Sequence, residues 1–139
     1  MPVPSSPNAR LFYRAATQRF DDAEFLLSSD RTTAAVYLSG YAVECILKAL
    51  ILSITTRSQE NDVLGQFRGA RAHDFDWLLR LYRQRGGSGT PREIGEHLAR
   101  LTSWSTDLRY SPGTISLREA RAFFDSATEL CRWAEGRIT

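Results

Sequence analysis

A chain of 139 residues, 42% hydrophobic and 24% charged, has the makings of one domain with a real core, and its composition excludes the disordered, collagen-like and disulfide-stapled classes. A formal net charge of +2 is too small to announce capture of nucleic acid by bulk electrostatics.

Residues 1–7 are Pro/Ser-rich, with neither a basic start nor an apolar stretch, and are expected to form a flexible arm rather than a secretion signal. Ser6 as cap and Pro7 at the first helical position predict a helix that presents Phe12, Ala16, Phe20, Ala23 and Leu27 on one side. Asp30 is expected to cap a second helix running from about Thr32 to Ile54, apolar around most of its circumference and therefore central. Its length approaches a membrane span. Glu44 and Lys48, however, would each cost about 2.5 to 3.5 kcal/mol in hydrocarbon, so a buried core helix is expected instead.

From Thr55 to Ala72 the pattern loses its period, and a loop with at most a short helical turn is expected. A third helix begins near His73 or Asp74 and carries Trp77, Leu78 and Leu81. Gly86 to Gly89 ends it, and Thr90, Pro91 and Glu93 form a capping-box pattern for the next, whose inner face is Ile94, Leu98 and Leu101. Ser103 to Ile115 reads as a loop. Ser116 and Glu119 repeat the capping box, and the last helix buries Ala120, Phe123, Ala127, Leu130 and Ala134 before ending near Gly136. The expected fold is all-α, an antiparallel up-and-down bundle of four to five helices in a single domain spanning 1–139.

Cys45 and Cys131 lie in apolar helical patterns without C-x-x-C spacing, which reads as free buried thiols in a reducing cytoplasm. Two scattered histidines and no cysteine cluster give no metal site, and no Gly-rich phosphate loop is present, so no cofactor is expected. Of the 18 basic residues only Lys48 is lysine. Arginine's planar fork suits phosphate and carboxylate, although a GC-rich coding sequence writes the same preference.

The second helix reads Ala35-Val36-Tyr37-Leu38-Ser39-Gly40-Tyr41-Ala42-Val43-Glu44-Cys45-Ile46-Leu47-Lys48-Ala49-Leu50. With the opening Tyr13-Arg14-Ala15-Ala16, the His73-Asp74-Phe75 helix start and the stretch from Trp104 to Gly113, it resembles the bacterial HEPN domain proteins over most of residues 8–135. That resemblance implies a helical bundle paired as a homodimer around a cleft. It also implies either a metal-independent ribonuclease of the toxin or defence kind, beside a nucleotidyltransferase antitoxin, or a relative that has lost the chemistry and only binds RNA or nucleotide.

HEPN ribonucleases carry an arginine followed, after four to six intervening residues, by a histidine near the start of the final helix. Such a site needs one group to move a proton and a cation to hold phosphorane charge. Arg109 occupies the arginine position, but Tyr110, Ser111, Pro112, Gly113, Thr114, Ile115 and Ser116 follow it, and the histidine is missing. Tyr110 would be a poor replacement base, its ordinary pKa being about 10. Arg92 and His97 match the letters of the motif on the wrong helix, a pairing that a chain rich in arginine produces by chance.

Glu44 and Lys48 match the family's E-x-x-x-K element and can pair across one turn, either as a structural ion pair or as part of the cleft. His73 beside Asp74 serves either as a helix start or as a site residue. Trp104 and Tyr110 flank Arg109, so they could stack RNA bases beside a phosphate contact or could pin the loop. The candidate RNA- or nucleotide-binding set is Arg109, Tyr110, Glu44, Lys48, Trp104 and His73, and Arg109 and Tyr110 are the catalytic candidates. Two functions remain open: a non-hydrolytic module with a basic pocket, and a ribonuclease toxin with a variant site.

Overall fold

The computed structural model describes residues 4–110 and 112–138, and the side chain of Arg109 lies outside that description. Six α-helices make up the fold: α1 (Pro7–Ser28), α2 (Thr32–Ser53), α3 (Glu60–Gln66), α4 (Phe75–Gln84), α5 (Arg92–Leu101) and α6 (Leu117–Glu135). Single 3-10 turns span Arg57–Gln59, Ala70–His73 and Thr106–Tyr110, and no strand occurs among the described residues.

The fold is all-α as expected, but the helices number six rather than four or five. The additional one is α3, seven residues inside the stretch read as a loop. Acidic Glu60 and Asp62 in its first turn complement the helix dipole, and fully buried Val63 ties it to the core. Gly65 lies within it, and the position a Cβ would take there is open space, so the glycine meets no close neighbour.

Ser6 caps α1, its Oγ accepting from the Ala9 N–H at 3.3 Å. The segment before it is less loose than the expected flexible arm. Residues 1–3 lie outside the described part, but Pro4 is fully buried. Arg10 Nη1 donates to the carbonyls of Pro4 and Ser5 at 3.1 and 2.7 Å, and the Ser6 hydroxyl donates to Glu60.

Two caps differ from expectation. Asp30 does not cap α2. It adopts φ +61°, and Arg31 stands at the cap position without a side-chain bond. Three residues must reverse the chain between two 22-residue helices, and aspartate tolerates the left-handed region better than most residues. The start of α2 is held instead by the loop before α6. Thr32 Oγ1 donates to the Ile115 carbonyl, Thr33 Oγ1 donates to the Gly113 carbonyl at 3.0 Å, and the Ile115 N–H returns to Thr33 Oγ1 at 3.2 Å. Thr90 likewise does not cap α5; Pro91 takes that place, and the Thr90 hydroxyl accepts from Arg83 Nη1 at 3.1 Å.

Helix α2 is the centre. It packs along α1, α4 and α6, while α5 lies on α6. Val43, Ile46, Leu47, Leu50, Ile51 and Leu52 are all essentially inaccessible, each such side chain contributing about 1.5–3 kcal/mol of burial. Among the described helices only α2 is long and apolar enough to cross a membrane, and most of it is covered by its neighbours.

Candidate functional site: the cleft between the start of α4 and the turn before α6

Glu44 and Lys48 sit one turn apart on α2, and their side chains bond at 2.7 Å with 4% and 5% of each residue exposed. Burial of two charges is tolerable only with good partners. Lys48 Nζ lies between two aromatic faces, 5.8 Å from the Phe12 ring centre and 5.5 Å from that of Phe67. The second oxygen of Glu44 is 2.7 Å from His73 Nδ1.

His73 ends the 3-10 turn of Ala70–His73, immediately before Asp74, which caps α4 by accepting from the Trp77 N–H at 3.2 Å. The imidazole is partly exposed, its side chain 40% accessible. A carboxylate on Nδ1 fixes the ring's orientation and leaves Nε2 as the other nitrogen for exchange. The ring meets Tyr41 edge-on at 6.3 Å.

Tyr41 leads to Trp104. That indole is buried, its Nε1 donating to the Tyr37 carbonyl at 3.1 Å. Phe75 stacks on it at 5.3 Å and Tyr41 abuts it edge-on at 5.1 Å. Gly40 lies directly against the indole: a Cβ there would stand 2.0 Å from Trp104 Nε1. Glycine is therefore needed at this close approach, for space and not for backbone freedom.

Beside these residues opens a cleft of about 580 Å³, lined in part by His73, Asp74, Phe75, Asp76, Trp104 and Asp107. No arginine or lysine is found among its described lining residues, and three aspartates are.

The sequence candidates thus divide. Glu44, His73 and Trp104 come together through Tyr41, and Lys48 joins through Glu44. Glu44 and Lys48 are buried, so they reach the cleft through His73 rather than by touching a ligand. Trp104 is no free stacking platform, because Phe75, Tyr41 and Gly40 already occupy its surroundings; it pins the turn onto α2. Tyr110 is 73% exposed at the end of the Thr106–Tyr110 turn, and the Arg109 side chain lies outside the described residues.

Arg92 and His97 do not converge on a site. Arg92 is almost fully exposed and pairs with Glu96 at 3.7 Å, while His97 Nδ1 lies 3.1 Å from the hydroxyl of buried Ser126 on α6. Both cysteines are free thiols. Burial, reinforced by Glu44, pushes the Cys45 thiol up to about 11, and burial pushes Cys131 up as well, so neither offers a thiolate nucleophile at neutral pH. No group of three or more His, Cys, Asp or Glu side chains suited to a metal ion occurs among the described residues.

Sequence reasoning missed Asp76, Asp107 and the close approach at Gly40. Their signal lies in contacts between distant segments rather than in spacing.

These features define a helical protein with a buried Glu–Lys pair on its central helix, a histidine held by that pair, and a cleft before the last helix. The HEPN domain family matches residues 9–137, nearly the whole chain, and the protein is a member of that family. No curated protein and no solved structure gives a significant match.

Proposed function

We propose that this HEPN protein binds rather than cleaves: an RNA- or nucleotide-binding module, or one that docks a nucleotidyltransferase partner, in a toxin–antitoxin or defence setting. The family suggests nucleotide or RNA binding, or a ribonuclease-like role, and the choice between them rests on one observation. No histidine follows Arg109 before α6, and both rings already hold a partner, His73 with Glu44 and His97 with Ser126. Proton transfer at the 2'-OH and the leaving oxygen needs a group that titrates near neutrality, and the expected position lacks it.

The aspartates lining the cleft argue against polyanion capture by field alone. A nucleic acid would have to be held by specific contacts, with Arg109 supplying the fork for phosphate and exposed Tyr110 a face for a base.

The Glu44–His73 pair favours a second reading. A buried carboxylate orienting an imidazole at the rim of a cleft is the arrangement of a general base, so a variant metal-independent ribonuclease could use His73 with Arg109.

Binding is tested by fluorescence anisotropy of labelled single-stranded RNA with the wild type and Arg109→Ala. The proposal expects an affinity that falls about tenfold in the variant, the loss of about 1.4 kcal/mol typical of a charged hydrogen bond. Saturable binding that is indifferent to Arg109 would place the interface elsewhere, and no binding at all would leave only the docking of a protein partner.

A further inference from the structure

A second pocket opens where the start of α2, the end of α5 and the first turns of α6 meet. It encloses about 300 Å³ and shares no described lining residue with the cleft. That volume lies at the low end for small-molecule sites, which in helical proteins form between packed helices. Val36 and Phe123, 5% and 7% exposed, and partly buried Ile115 supply its apolar wall.

Three polar side chains line the same pocket: Arg100 in the last turn of α5, Ser103 just after it, and Glu119 in the first turn of α6. All three residues are exposed, and none makes a side-chain hydrogen bond or ion pair among the described residues. Each charge suits the dipole of its own helix. That local reason does not account for a cation, a hydroxyl and a carboxylate lining one apolar pocket, with Arg100 and Glu119 left unpaired.

We infer that this pocket takes a free α-amino acid with an aliphatic side chain. Arg100 and Ser103 donate to its carboxylate, Glu119 accepts from its ammonium, and the alkyl group lies against Val36, Ile115 and Phe123. A simple anion would meet the like charge of Glu119 and a simple cation that of Arg100, so a ligand carrying both charges is selected. The small volume and the exposed charges place the affinity at about 0.1–1 mM. Ser103 and Ile115 bracket the segment that carries Arg109, so an occupied pocket ties the two ends of that segment together. The site is separate from the cleft and stands whether or not the protein binds RNA.

Titration of the full chain with L-leucine, followed in amide NMR spectra, tests the inference. N-acetyl-L-leucine, which lacks the ammonium, and L-leucine methyl ester, which lacks the carboxylate, are the control ligands. Arg100→Gln and Glu119→Gln change exposed side chains, the second keeping the capping-box pattern after Ser116, and the same spectra report that the fold is intact. L-Leucine is expected to shift the amides of Ser103, Ile115 and Phe123 saturably, and each control ligand and each variant to weaken binding about tenfold. Absence of saturable shifts up to about 10 mM leucine overturns the inference. So does binding indifferent to either variant. A control ligand that binds as tightly as leucine overturns it too, and would make the end of a peptide the occupant.

Discussion

Glu44 illustrates how one residue links the core to the cleft. Its carboxylate is shared between Lys48 inside the fold and His73 at the rim, both at 2.7 Å. Removing one member of a buried pair strands the other, whereas replacing both with apolar groups of similar volume often costs little. Lys48→Met is therefore expected to lower unfolding free energy by about 3 kcal/mol, the low end for such changes because His73 still holds Glu44. Glu44→Leu combined with Lys48→Met should recover most of that loss. Urea unfolding of the two single variants and the double measures the coupling, and simple additivity would mean the pair carries no mutual dependence. The Glu–Lys half of this group was legible in the sequence, because i, i+4 spacing puts both on one helix face. The bond to His73 was not, since 29 positions separate it from Glu44 and only the fold closes that distance.

At the scale of elements, the long helices were readable because their apolar positions repeat with the helical period over many turns. Helix α6 buries Ala120, Phe123, Ala127, Leu130 and Ala134, and its cap Ser116 accepts from the Glu119 N–H at 3.1 Å, as the capping box required. Local pattern failed where tertiary contacts decide. Asp30 was needed for a reversal rather than a cap, and α3 is too short for its period to register. Gly40 carries the same lesson, for it reads as an interruption in an apolar helix and is instead the seat of Trp104. Gly40→Ala gains about 0.8–1.0 kcal/mol of helix propensity but must expel the indole and break its 3.1 Å bond to the Tyr37 carbonyl. A net destabilisation of about 1–2 kcal/mol is expected, with tryptophan emission shifted to the red as the ring meets water. Thermal unfolding and fluorescence would show it. An unshifted spectrum would contradict the role of Trp104 as the clasp between α2 and the turn that carries Arg109.

The whole molecule combines a helical HEPN frame with the absence of any histidine after Arg109, where the resemblance to the family's ribonucleases implies one. The family could be recognised from the order of the Glu44–Lys48 helix, the His73-Asp74 helix start and the Trp104 to Gly113 stretch. The aspartates that line the cleft could not, because Asp74, Asp76 and Asp107 come from segments about thirty residues apart and meet only in the folded chain. The most direct test of the central claim is incubation of the purified wild-type protein with a mixed single-stranded RNA pool in excess chelator, followed by denaturing electrophoresis. The binding reading predicts intact RNA at protein concentrations that saturate binding. Cleavage that disappears in both Arg109→Ala and His73→Ala would contradict it, and would make the Glu44-held imidazole the group that replaces the missing histidine.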